Sequence, residues 1–382
     1  MPSERSKTKP LDFSKKKIAI VHDILFEYGG AERVLDELLA IFPQADLFTY
    51  CYNTNNQVIV KKYRKFLKKT SILSRFFSRH SLKQLSLFKC VSWLFFLTLD
   101  LQEYEIIISS CHSFTSKIVR KQKKAVHICY LYTPPRYLYD RKSEYFDQEN
   151  SWIRWVLNKT LFKFMKAIDY SATWNPDKVV TISNHIRKLV DNTYGRDSAV
   201  IFPPVKIFNR SKITSNFQKK YYIFHSRLVS QKGIELAINT CNKYKLPLKV
   251  IGEGYLFNKM KQKAGETITF LGWVDDSKLV TIYAHAMALI YPAIDDDFGI
   301  VPVEAMGMGV PVIAFRQGGV LETVIDGKTG YFFDNYSAIG LKQALDKLKN
   351  KVILPSNCVN QAKRFSSSKF RKRMKSVVQE FS

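Results

Sequence analysis

Residues 292–319 read PAIDDDFGIVPVEAMGMGVPVIAFRQGG, and the placing of two acids in that stretch, Asp296 and Glu304, decides the architecture. The apolar residues 288–291 suit a buried strand. Pro302 falls in the first turn of the next segment, where a missing N–H costs nothing, and Gly307 and Gly309 close it. The pattern is therefore strand, loop, short helix. The N–H groups around Gly299 and Ile300 stand at the start of that helix, and a helix start beside glycine is a cradle for a diphosphate. Glu304 lies about one turn further on, placed to accept hydrogen bonds from a ribose diol, while Asp296 in the loop can reach a second hydroxyl-bearing group. Two acids and a helix end fit a nucleotide-sugar. The plainer alternative is an acidic loop followed by a surface Glu.

The run DDFGIVPVEA resembles the E-x7-E element of glycosyltransferase family 4, which is built around F-G-(hydrophobic)-x-x-x-E-A. Asp296 stands where that family usually has Glu, shortening the reach by one methylene and keeping the charge. Further agreement lies in YTPPRYLYD near Thr133, TISNHIRKLV near Ser183 and YGRDSAVIFPPV, so the likeness covers nearly the whole chain. It implies an α/β protein of GT-B type, with two Rossmann-like doubly wound domains facing across a cleft. It implies transfer with retention of configuration and without a metal or other cofactor. It also sets Phe298 beside Gly299 and Ile300 at the donor. The wording is closest to the O-antigen mannosyltransferase branch, which makes GDP-mannose the favoured donor and a UDP-sugar the alternative.

At 382 residues with 46% hydrophobic composition, the chain can bury two cores. Its net charge of +27 calls for an anionic partner or surface. Residues 51–99 hold no acid. There Lys61, Lys62, Arg64, Lys65, Lys68, Lys69, Arg75, Arg79 and Lys83 fall among Phe66, Ile72, Leu73, Phe76 and Phe77, as expected of a segment resting on an anionic membrane. A solvated helical face is the alternative. Apolar runs such as 91–99 are far shorter than the roughly 20 residues a spanning helix needs. The opening MPSERSKTKPLDFSKKK reads as a polar tail without the apolar core of a secretory leader. Cys51, Cys90, Cys111, Cys129, Cys241 and Cys358 lack metal-ligand spacing and read as reduced. A cytoplasmic protein, peripheral at the inner face of the cell membrane, is the expectation.

Strand-like runs at 17–21, 46–51, 105–110, 126–132, 179–183 and 199–202 alternate with helical stretches such as 31–42 and 152–170. A second series follows at 221–225, 248–251, 268–271, 288–291 and 312–315, with helical periodicity at 234–244, 278–286 and 339–348. This alternation predicts two doubly wound domains. The expected division is a tail at 1–16, an acceptor-side domain at 17–205, a polar linker at 206–220 and a donor-binding domain at 221–360. The stretch 361–382 is expected as a final helix, which the resemblance sends back to the first domain.

Ligands of open α/β sheets bind beyond the carboxyl ends of strands, so the loops there matter most. In HDILFEYGGAERV, Gly29 and Gly30 precede a helix and permit close backbone approach, although G-x-G-x-x-G is absent. In HSRLVSQKGIELA, Arg227 and Lys232 are suited to straddle a diphosphate, and the resemblance has them stabilise it as a leaving group. His112 in SSCHSF follows a strand, and the resemblance brings it to the donor sugar; a buried structural histidine is the alternative. Cys111 is no nucleophile on this reading, since neighbours in a strand point to opposite faces. Gly318, Gly319 and Glu322 form a G-G-x-x-E element that the resemblance places along the donor pocket, against a plain helix-start Glu.

Asp295 to Asp297 contain D-x-D, which in another class of glycosyltransferase binds a metal, but that motif belongs early in a single domain. No P-loop, H-E-x-x-H or nucleophile elbow occurs. A nucleic-acid binder would suit the charge yet lacks any recognition motif, so no nucleic-acid partner is expected. A sugar-nucleotide 2-epimerase shares the architecture, but its acid–base residues have no place here. The expected partners are a nucleotide-sugar donor, a lipid-linked glycan acceptor in bacterial surface polysaccharide synthesis, and an anionic membrane surface.

Overall fold

The computed structural model describes residues 12–72, 92–112, 115–139, 152–207 and 218–381, with backbone alone at 152–159. Outside these lie most of the tail, residues 208–217 of the linker, Cys90, and Leu73, Arg75, Phe76, Phe77, Arg79 and Lys83 of the basic stretch. Contacts divide the chain into two units. Unit one holds the residues up to Ile182, Ile186–Ile201 and Phe370–Ser382; unit two holds Ser183–His185 and Phe202–Lys369.

Unit one is a parallel sheet in the order β3-β2-β1-β4-β5-β6-β7. Along the chain its elements are β1 (Ile18–Leu25), α1 (Gly30–Ile41), β2 (Asp46–Tyr52), α2 (Gln57–Tyr63), β3 (Leu67–Thr70), α3 (Ser92–Leu97), β4 (Ile106–Cys111), β5 (Val126–Leu131), α4 (Trp152–Ala172), β6 (Lys178–Thr181), α5 (Asn184–Tyr194) and β7 (Ala199–Val200). Runs such as IAIV and IIIS are buried throughout, as a parallel sheet covered on both faces requires. β1 continues past the predicted 17–21 because His22 and Asp23 are buried with partners. The outer strand β3 was not expected. It carries Lys68 and Lys69, charges that suit a rim strand and hide its β character.

Unit two is a parallel sheet in the order β10-β9-β8-β11-β12-β13. Its elements are β8 (Tyr221–His225), α6 (Ile234–Lys243), β9 (Leu248–Ile251), α7 (Phe257–Lys263), β10 (Ile268–Gly272), α8 (Asp276–Ala284), β11 (Ala286–Tyr291), α9 (Ile300–Gly307), β12 (Val312–Phe315), α10 (Val320–Thr323), β13 (Gly330–Phe333), α11 (Ala338–Asn350) and α12 (Pro355–Ala362). α8 starts ahead of the predicted 278–286 because the Asp275 side chain accepts from Ser277 N at 3.0 Å and Lys278 N at 3.3 Å. The four-residue β13 went unread.

The last helix, α13 (Ser367–Phe381), begins later than the expected 361. Phe370, Met374 and Val378 recur at helical spacing and are buried, each burial worth about 1.5–3 kcal/mol. Phe370 meets Tyr130 of β5 edge-on, with ring centroids 5.7 Å apart, and Arg371 pairs with Glu37 of α1, so unit one owns this helix.

Each sheet reverses its strand order at one place, between β1 and β4 in unit one and between β8 and β11 in unit two. In such sheets the crevice for a ligand opens beyond the carboxyl ends at that reversal. Residues following β1, β4, β8 and β11 are therefore those to inspect.

Candidate functional site

In unit two, β8 ends at His225, and exposed Arg227 follows at once. A 3-10 turn, Ser230–Lys232, leads into Gly233, whose φ is 71°. A Cβ there would lie 2.2 Å from the Pro292 carbonyl oxygen, so only glycine lets this turn settle on the loop after β11. Ile294 N then donates to the Gln231 carbonyl at 3.0 Å. The outcome is a pair remote in sequence: Lys232 Nζ lies 3.0 Å from Asp296 Oδ2, with side chains 20% and 17% exposed. Tyr291 donates its hydroxyl to the same carboxylate oxygen, and Asp297 N donates to Oδ1 at 2.9 Å. Asp295 turns instead to His185, with Nε2 to Oδ1 at 2.9 Å. The carboxylates of Asp295 and Asp296 thus take separate partners.

Gly318 and Gly319 seat that loop. Gly319 N donates to the Asp296 carbonyl at 2.6 Å, and a Cβ on Gly319 would stand 2.3 Å from the Asp297 carbonyl oxygen. Gly299 is the residue before α9, whose first turn has no side-chain cap. The first N–H groups of a helix have no partner within the helix itself. Glu304 sits inside α9 and is only 5% exposed.

Two of the residues expected at the donor are engaged by protein neighbours. Phe298 is 2% exposed, with its ring packed against Phe202 and Phe365 at centroid distances of 5.7 and 5.5 Å, so it anchors the loop from below. Glu322 is the second of them. Its carboxylate accepts from Asn184 N at 2.9 Å, Asn184 Nδ2 at 2.7 Å and His185 N at 2.7 Å, capping the start of α5.

In unit one, Gly29 precedes α1 and Gly30 begins it, with Gly29 N donating to Glu32 Oε2 at 2.8 Å. His112 follows β4 directly, with its side chain 24% exposed. The structure adds neighbours to which sequence reading had assigned no part. His22 is fully buried, accepting or donating at Nδ1 to Ser110 Oγ at 3.0 Å, with Nε2 3.6 Å from Glu32 Oε1. Burial pushes the Glu32 carboxyl up, but the contact with His22 and the charges of His22 and His112 outweigh it and leave the group below its ordinary value. Asp23 accepts from His112 N at 2.8 Å. Glu32 was legible in the spacing G-G-A-E, the glycine analogue of a capping box. Asp23 was not, because its partners arrive from β4. Burial, and after it Cys129, push the Cys111 thiol well above its ordinary value, which keeps it uncharged.

These two sets of residues follow the strands that flank the reversal in each sheet. Residues 205–365 match the family described as Glycosyl transferases group 1. This group 1 segment contains Arg227, Lys232, Asp296 and Glu304. An uncharacterized glycosyltransferase of Methanocaldococcus jannaschii is 28% identical over 199 residues, covering 51% of this chain and 56% of that protein. The chain spans about half the length of the first curated relatives it matches, at 56%, 53% and 48%. The alpha-1,3/1,6-mannosyltransferase ALG2 of Dictyostelium discoideum is 23% identical over 407 residues, covering 90% of this chain and 91% of that one. Among solved structures, Anabaena HepE in complex with UDP and glucose is similar at TM-score 0.68 and 17% identity, over 95% of this chain and 99% of that chain. That likeness bears on the fold, two parallel doubly wound sheets of the kind found in GT-B glycosyltransferases.

Proposed function

We propose that this chain is a glycosyltransferase that moves a hexose from a nucleotide-sugar with retention of configuration and without a metal, as in glycosyltransferase family 4. The observation that carries the reading is the Lys232–Asp296 pair beside the uncapped start of α9, at the strand reversal of the group 1 segment. A lysine held by a carboxylate is poised for exchange. An arriving diphosphate takes over the ammonium, and Asp296 is released to accept hydrogen bonds from the sugar hydroxyls.

As the bond between the anomeric carbon and the diphosphate breaks, charge grows on the departing oxygens. Lys232, Arg227 and the N–H groups following Gly299 oppose that charge, the kind of stabilisation that often dominates catalysis. Glu304 is suited to the ribose, and His112 to the hydroxyls of the reacting sugars. The likeness to ALG2 supports mannose as the sugar; the donor proposed is GDP-mannose, and the acceptor proposed is a lipid-linked glycan of bacterial surface polysaccharide, such as O-antigen. HepE was solved with UDP, so a UDP-sugar is the competing donor.

The test is a thermal-shift panel of GDP, UDP and ADP with their sugars. A ligand that binds only the folded chain stabilises it by about 2.7 kcal/mol at one hundred times its dissociation constant. GDP and GDP-mannose are expected to raise the melting temperature most. A larger rise with the UDP compounds would reassign the donor, and no rise with any of them would defeat the reading.

A further inference from the structure

Asp23 is 1% exposed, and its two oxygens gather three hydrogen bonds from one turn. Oδ2 accepts from His112 N at 2.8 Å, and Oδ1 accepts from Ser116 N at 2.7 Å and Thr115 Oγ1 at 3.2 Å. Oδ2 also lies 3.7 Å from His112 Nδ1, too far for a hydrogen bond and close enough for an ion pair. The far end of the same turn is fixed independently. Buried Lys117 pairs with Asp169 at 2.7 Å and donates to Thr173 Oγ1 at 2.6 Å, while Asp169 Oδ2 accepts from Tyr139 and Tyr194, each at 2.7 Å. With the turn already tied to α4 through Lys117, a second buried carboxylate facing the imidazole calls for a reason beyond holding backbone.

We propose that Asp23 is the positioning residue of His112, setting which ring nitrogen carries the proton and favouring the protonated ring. This is the relation of an orienting carboxylate to an imidazole in hydrolytic triads, on a different fold and with a different task. It rests on the glycosyltransferase reading only for its kinetic consequence. Among the described residues, further titratable groups face His112. His22 on β1 faces it with ring centroids 5.0 Å apart and is itself engaged by Glu32 of α1. Tyr132, after β5, meets it edge-on at 6.2 Å, and the Cys111 thiol of β4 is held neutral by burial. Asp23 is a carboxylate 3.7 Å from Nδ1, and Glu32, engaged with His22, also feels the charge of His112.

The experiment is a 15N NMR titration of the His112 ring in the full chain, assigned with His112→Gln and repeated in Asp23→Asn. Asp23→Asn removes an opposite charge close to the ring, so the His112 midpoint is expected to fall by about one pH unit or more. A role confined to packing would lower the melting temperature and leave that midpoint in place, which overturns the proposal. Should Asp23→Asn fail to fold, the wild-type spectrum decides: a neutral ring protonated at Nδ1 supports the proposal, and one protonated at Nε2 overturns it. In transfer assays Asp23→Asn is expected to lower kcat on the order of a hundredfold with little change in KM for the nucleotide-sugar. A wild-type chain that turns over no nucleotide-sugar would defeat the functional reading while leaving the titration to judge Asp23.

Discussion

Lys232 can be removed without leaving a hole in a core, because its ammonium meets one carboxylate and its neighbours are loop residues. Lys232→Ala is therefore expected to keep the fold and lose transfer, by about 2.7–4 kcal/mol in the barrier, the cost of deleting one donor to a developing charge. Steady-state kinetics beside a thermal melt check this, and wild-type turnover in the variant would be incompatible with a role for Lys232 at the leaving group. Lys232→Arg should recover only part of the rate, since a planar fork does not replace a compact point charge. Residues within one local pattern were legible in sequence: Asp296, Gly299 and Glu304 declare themselves by spacing. The partner of Asp296 did not, because Lys232 reaches it only through the contact Gly233 allows with Pro292, which no local pattern encodes. The partners of Glu322, at Asn184 and His185, were hidden for the same reason.

Among the elements, the acidic loop after β11 is held on its far side by the glycine pair before α10. Gly319→Ala would bring a methyl group within 2.3 Å of the Asp297 carbonyl oxygen, so one of the two turns must move. Such overpacking costs about 1–3 kcal/mol, or roughly 2–4 °C in melting temperature per kcal/mol for a domain of this size. Turnover should drop as well, because the displaced loop carries Asp296; a variant with unchanged melting and unchanged rate would show the loop to be independent of that turn. Interior strands were readable as apolar runs, and their alternation with helices pointed to doubly wound domains, while the strand order came from the structure. β3 and β13 were missed for physical reasons. Each is a four-residue outer strand with neighbours on one side, so neither a long apolar run nor a clean alternation marks it.

For the molecule as a whole, no helix among the described residues is long and apolar enough to cross a membrane. The expected contact with anionic lipid is a matter of surface charge. Lys62 is paired with Asp36 at 2.5 Å, and Lys68 lies 3.7 Å from Asp46. Exposed Lys61 and Lys69 form no ion pair among the described residues and are the better candidates to meet phosphate headgroups. A Lys61→Gln, Lys69→Gln double variant should bind anionic vesicles about thirtyfold more weakly, at about 1 kcal/mol per charge, and the same exchange at Lys62 and Lys68 should matter less. Equal sedimentation of all three proteins would remove the surface from the proposal. Net charge was plain in the composition, while its division between satisfied and available ammonium groups required the fold.

The lysines of β3 have a further effect in solution. Ammonium groups along an outermost strand make it a poor template for another chain to add to by backbone pairing, so crowded preparations of this protein are protected there against fibril growth.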